Sequence, residues 1–230
     1  ADHRVTTGKT RVIGNNHQLL RVDIEDLSEL NNDLSDQLIA AVKTILSKDK
    51  IDVVIFEDYD KGVINARIIK EIVSEANRLN IPTSVDPKKN NFLNYHSVSL
   101  FKPNLKELRE GTKIDFKKST EANFETAIDK LKKELNAKMI FVTLSEEGVY
   151  LKSDKEEVRI PAHMRDIADV SGAGDTVISV ASLCLALGQD ERMIAFLSNL
   201  AGGIVCEKVG VVPIDKNVLL QEAISSINID

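Results

Sequence analysis

Eight consecutive residues, Asp169-Val170-Ser171-Gly172-Ala173-Gly174-Asp175-Thr176, carry the sharpest chemical signal in this chain of 230 residues. Gly172 and Gly174 let the backbone turn tightly ahead of a helix, and the small Ala173 leaves the neighbouring amides uncovered. Successive N–H groups at a helix start form an anion cradle. Asp175 falls in the first turn, where its carboxylate could accept a proton from a hydroxyl attacking the cradled group. The plainer reading is a glycine loop followed by an acidic residue that favours the helix dipole. The spacing is too compact for a Walker loop, which needs a longer run between its first glycine and Gly-Lys.

A second pair, Asn104 and Glu107, stands three apart at a predicted helix start and can face one spot. Taken alone, the two read as an N-cap and its capping-box partner. His17 suits acid–base work near neutral pH, but in a strand-turn segment a structural histidine is the commoner case. His3, His17, His96 and His163 lack metal-ligand spacing.

These residues need a frame that gathers distant segments. Apolar beats at Val12, Leu20, Val22 and Ile24 around Gly14-Asn15-Asn16 predict two short strands over 10–24. Helical spacing follows over 35–46. Strand cores at 52–56, 82–85, 98–101 and 139–144 then alternate with helices at 65–80, after 104, and at 124–135. A hairpin is expected over 148–152 and 157–160, and the tail carries two helices, 173–187 and 191–207, with Gly188 as the stop between them. This alternation predicts an α/β fold with a mainly parallel sheet covered on both faces. Ligands in such folds bind at the carboxyl ends of the strands. The polar clusters at 57–62, 86–90, 102–107, 143–148 and 169–175 follow strands and should converge on one rim.

Composition narrows the function classes. Thirty Lys and Arg against 36 Asp and Glu give a net charge of -6, which disfavours a nucleic-acid partner because backbone binding depends on neutralising phosphates. No apolar run is long enough to cross a bilayer and no signal-peptide core opens the chain, so a cytoplasmic protein is expected. Cys184 and Cys206 lie in apolar helical surroundings and read as buried free thiols.

The 169–176 segment resembles the second signature of the ribokinase-like family, the PfkB carbohydrate kinases. That resemblance implies a three-layer sandwich with a remnant of a small β lid, Asp175 as general base, and the Gly172, Ala173 and Gly174 amides as the anion hole. Ser171 stands where the family usually has Thr, which keeps the hydroxyl. Lys102 to Leu108 is similar to the family's Asn-x-x-Glu motif, implying that Asn104 and Glu107 organise ATP phosphates and hydrated Mg²⁺, with Glu107 nearest the metal. Thr143, Ser145 and Gly148 resemble the strand end and turn that contact the nucleotide, though a plain strand-turn-strand explains them too. Asn199, Gly202, Gly203, Val209, Gly210 and Val212 fall where the family builds its adenine pocket and, in many members, a loop for a monovalent cation such as K⁺. The small residues among them equally suit helix packing.

Segments 10–23, Asp58 to Gly62, Val85 to Lys88 and Phe101 to Asn104 resemble the kinase domain of heptose-phosphate kinases, with Asp60 and Lys89 as departures. The implied substrates are ATP and D-glycero-D-manno-heptose 7-phosphate. Long basic side chains suit the sugar's phosphate, making Arg11, Arg21, Lys61 and Lys88 candidates. Asp58 and Asn16 are candidates for its hydroxyls. Solvated surface groups and turn residues are the alternatives for each. The resemblance takes residues 1–230 as the C-terminal two thirds of a ribokinase-like kinase domain, with 10–24 supplying lid strands and a homodimer formed through them.

Overall fold

A computed structural model of the chain describes residues 4–14, 17–163 and 165–227. Strands β1 (Gly8–Gly14) and β2 (His17–Ile24) pair antiparallel as a separate two-stranded ribbon. The rest forms one six-stranded sheet in chain order: β3 (Val54–Glu57), β4 (Thr83–Asp86), β5 (Leu100–Phe101), β6 (Met139–Thr143), β7 (Val149–Lys152) and β8 (Glu157–Ile160). β3 to β6 run parallel, and β7 and β8 turn back antiparallel.

Alternation along the strands sorts the core into two layers, since successive side chains point to opposite faces. Phe56, Val85, Phe101, Ile140 and Val142 pack under α1 (Asn32–Lys48), α2 (Ala66–Arg78), α3 (Leu105–Thr112) and α4 (Ala122–Leu135). Leu100, Met139, Phe141, Val149 and Leu151 pack under α5 (Ala173–Ala186) and α6 (Glu191–Cys206). The result is the expected α/β three-layer sandwich with a small β ribbon. Asn31, Asn65, Asn104 and Asp190 cap α1, α2, α3 and α6 with side-chain oxygens, as orphan N–H groups at helix starts require.

The tail departs from expectation by one element. A third helix, α7 (Lys216–Ile227), follows α6, and its Leu219 and Ala223 close a small cluster with Leu200 and Ile204. Its apolar residues do not gather on one face, and Val218, Leu220 and Ile224 stay exposed, so the helix owes its place to that packing more than to sequence periodicity. Both cysteines are buried free thiols. Among the described residues no helix is long and apolar enough to cross a membrane.

Candidate active site

The parallel strands end on one rim, and three of the four deliver a charged side chain there. Glu57 closes β3, Asp86 closes β4, and Lys102 follows β5. Register sets Glu57 directly beside Asp86. Helix α5 starts above them: Gly172 takes the left-handed conformation at φ 82°, which glycine alone adopts freely, and acts as N-cap. A side chain at Gly174 would stand 3.7 Å from Lys102 Nζ and 3.8 Å from Asp86 Oδ2. The glycine cradle therefore rests directly over a buried ion pair.

In that pair Lys102, only 3% exposed, holds Asp86 Oδ2 at 3.3 Å. Lys88 reaches Asp86 Oδ1 at 3.5 Å and Glu107 Oε1 at 3.2 Å. Burial works to lower the Lys88 ammonium, but the carboxylates of Asp86 and Glu107 outweigh it and hold it above its ordinary value. Glu57, Asp86 and Asp175 each bring a carboxylate oxygen within 4.8 Å of the others. Burial, then the charges of Asp86 and Asp175, push the Glu57 carboxyl up to about 7, with Lys102 and Lys88 pulling the other way. The Tyr59 hydroxyl donates to Asp175 Oδ1 at 2.9 Å.

The ribbon closes over this rim. Lys9 on β1 sits 5.1 Å from the centre of the Tyr59 ring, and a cleft of about 470 Å³ is lined by Thr7, Lys9, Glu57, Asp58, Tyr59, Lys61, Val63 and Ile64. A larger hollow of about 780 Å³ lies at the other ends of the strands, among Lys132, Lys138, Lys152 and their acidic neighbours. Only the smaller cleft adjoins the start of α5, through Tyr59 and Glu57 beside Asp175.

The expected residues divide in two. Gly172, Ala173, Gly174 and Asp175 stand at the rim, and Asn104 bridges to Thr143 across the strand ends. Asn104 Oδ1 accepts from the Glu107 amide at 2.8 Å while Glu107 Oε2 accepts from the Asn104 amide at 2.9 Å. This is a capping box whose remaining Glu107 oxygen faces Lys88. Glu107 thus joins the carboxylate trio through Lys88 and is not a member of it. Ser145 and Gly148 bound a short 3₁₀ turn, at φ 54° and 89°, and a Cβ on Gly148 would press into Ile160 O at 2.1 Å.

A second set is occupied with the fold. Asp58 is 2% exposed. Its Oδ2 accepts from Asn91 Nδ2 at 3.0 Å and the Tyr95 hydroxyl at 2.8 Å, and its Oδ1 accepts from the Asp60 amide at 2.9 Å. Asn199 donates to Pro161 O at 2.9 Å. A Cβ on Gly202 would meet Val177 Cγ2 at 2.7 Å, and one on Gly203 would meet Arg165 Nε at 2.9 Å, so both glycines serve close packing. Two cations stand apart from that set: Lys61 lines the cleft while pairing with Glu25 at 2.5 Å at the foot of the ribbon, and the exposed Arg11 lies opposite Arg21 on the ribbon face that carries Lys9. Asn16 lies outside the described residues.

A further set had no role assigned from sequence: Glu57, Tyr59, Asp86 and Lys102. The usable signal was a charged residue at the carboxyl end of a predicted strand. Asp169, in the loop before α5, is held by backbone amides. Its Oδ1 accepts from the Ser171 amide at 2.9 Å and its Oδ2 from the Gly210 amide at 3.0 Å, bonds that hold its carboxyl below the ordinary range. It ties the glycine turn to the loop after α6.

Residues 2–217 match the family described as pfkB family carbohydrate kinase. This chain belongs to the pfkB family. The family is described as one of carbohydrate kinases, which implies ATP and a divalent metal. The pfkB chain is 38% identical over 207 residues to the bifunctional protein HldE of Campylobacter curvus, covering 90% of this chain and 43% of that one. It is 37% identical over 214 residues to the HldE of Desulfatibacillum aliphaticivorans, covering 93% and 43%. It therefore spans less than half the length of these relatives. Among solved structures, phosphofructokinase-2 of Escherichia coli in complex with potassium superposes with TM-score 0.79 at 17% identity, over 95% of this chain and 69% of the other. Arabidopsis thaliana ribokinase complexed with ribose and ATP gives 0.69 at 16%, over 88% and 64%. At such identities the structural likeness concerns the fold.

Proposed function

We propose that this chain transfers the γ-phosphoryl group of ATP to the anomeric hydroxyl of D-glycero-D-manno-heptose 7-phosphate, giving the 1,7-bisphosphate, in the cytoplasm. The observation that carries the reading is Asp175 in the first turn of a helix whose Gly172–Gly174 start overlies Lys102 at the strand rim. Asp175 takes the proton of the attacking hydroxyl while the glycine amides stabilise charge on the phosphoryl oxygens. Lys102, fixed beneath them, adds positive potential in a buried site where it is little screened. The choice of heptose rests on the likeness of residues 58–62, 85–88 and 101–104 to heptose-phosphate kinases.

Lys61, Lys88 and Arg11 are the cations we assign to the sugar's phosphate, Arg11 because it shares the face of the ribbon that carries Lys9 over the rim. Thr143, Ser145 and Gly148 serve the nucleotide. A hard cation suits oxygen donors, and the Glu57 and Asp86 oxygens, within 4.8 Å of each other and of Asp175, fit Mg²⁺ in chemistry and spacing. Mg²⁺ there would offset the repulsion between ATP and these carboxylates. A monovalent cation such as K⁺ is proposed from the resemblance alone.

The ribbon's other face bears Val12, Leu20, Val22 and Ile24, between 45% and 61% exposed. We assign that apolar face to a homodimer contact, since exposed apolar stripes on a strand pair favour burial against a second copy.

The test is ADP release with Mg-ATP and a panel of heptose 7-phosphate, fructose 6-phosphate and ribose, with Asp175→Asn as control. Turnover on the heptose phosphate, reduced by about a hundredfold or more in the control, supports the reading. Turnover on another sugar keeps the mechanism and removes the heptose. Ligand binding without turnover on any of them marks a protein that only binds.

A further inference from the structure

We propose that Tyr59 is a positioning residue for the base and the point through which the lid ribbon is coupled to it. The proposal rests on the kinase reading of Asp175. One side chain joins three stretches of sequence: its hydroxyl donates to Asp175 Oδ1 at 2.9 Å, and its ring faces Lys9 Nζ of β1 at 5.1 Å. A carboxylate turns freely about its last bond, so a fixed donor on one oxygen sets the plane in which the other meets a substrate hydroxyl. An ammonium over a tyrosine ring is attracted by its face, which links the ribbon's position to that donor.

The backbone around Tyr59 is anchored to hold such a donor still. Asp58 is locked by Asn91 and Tyr95 beneath it. Asp60 accepts from the Asn90 amide through both oxygens at 3.3 Å, in the left-handed conformation at φ 53°. The foot of the ribbon is tied to the same loop: Leu30 N donates to Gly62 O at 3.0 Å, Arg4 donates to Lys61 O, and Lys61 pairs with Glu25. The phenol also stays a donor across the working pH range, because burial first and then its bond to Asp175 push its ionisation far up. A surface tyrosine with only a structural part needs none of this convergence on the base.

The test pairs kinetics with a readout independent of turnover. Tyr59→Phe keeps the ring and loses the hydroxyl; kcat falls about tenfold while KM for sugar and ATP stays within about twofold. Lys9→Met keeps the hydroxyl and raises the sugar KM, and the double variant loses less than the product of the two single effects. With three tyrosines in the chain, 3-fluorotyrosine labelling gives a countable ¹⁹F spectrum in which Tyr59→Phe assigns the Tyr59 line. Asp175→Asn and Lys9→Met should each move that line without ligand. An active wild type with Tyr59→Phe unchanged in kcat, or a Tyr59 line unmoved by both substitutions, overturns the proposal and leaves the kinase reading standing. A wild type inert with every sugar overturns both.

Discussion

Glu57 shows how much one side chain can depend on its neighbours. Its ordinary value is 4.5, and in the fold its carboxyl is pushed up to about 7 by burial first and then by Asp86 and Asp175. Between those two values the folded chain holds the proton more tightly than the unfolded chain, so this group's contribution to stability falls as pH rises through the window. Below it Glu57 is neutral in both states, and above it the full cost is felt. Glu57→Gln should therefore raise Tm over wild type by more at about pH 8 than at about pH 5, in chelator. Thermal scans at the two pH values check this, and an equal gap would refute it. Asp175 and its glycines stood out in sequence because the proposed cradle and base lie within one turn of chain. Glu57, Asp86 and Lys102 did not, because each acquires its partners only when separate strands end side by side.

At the scale of elements, the short joints do the positioning. Asn104 and Glu107 close the start of α3, and the same Glu107 meets Lys88. Asn104→Ala should cost about 1 kcal/mol in chemical denaturation through the lost cap, and should raise KM for ATP if Glu107 also serves the nucleotide. A loss of stability with ATP binding unchanged would leave Asn104 a cap alone. Gly62 is the joint at the ribbon's foot. It sits at φ 71°, and a Cβ there would meet Ser28 O at 1.9 Å. Gly62→Ala should destabilise by about 1–3 kcal/mol and raise the sugar KM as the ribbon loses its seat. A variant with wild-type Tm and KM would show that the 27–30 segment gives way freely. The capping box was readable from spacing; the approach of residue 28 to residue 62 was not, since nothing local in either segment demands it.

At the scale of the molecule, the proposed function gives one face of the ribbon to catalysis and the other to assembly. Lys9, Arg11 and Arg21 share the face over the cleft, and Val12, Leu20 and Val22 share the other. Leu20→Glu places a charge in the proposed dimer contact without entering the cleft. It should move the sedimentation profile from dimer to monomer at micromolar concentration, because an unpaired charge in an apolar contact is costly. A wild type that sediments as a monomer would remove the dimer from the account.

The sequence by itself determined the alternation of strands and helices, hence the parallel sheet and the rim where polar loops gather, because side-chain period and turn chemistry are local properties of the chain. It also determined the glycine cradle and its aspartate. Only the tertiary structure decided which polar residues are free to act. It turned Asp58 inward to three donors, set Gly202 and Gly203 to close packing, and brought Tyr59 to Asp175 across 116 positions. A side chain's spare bonding capacity depends on what the rest of the chain places beside it, and that is settled only when the layers close.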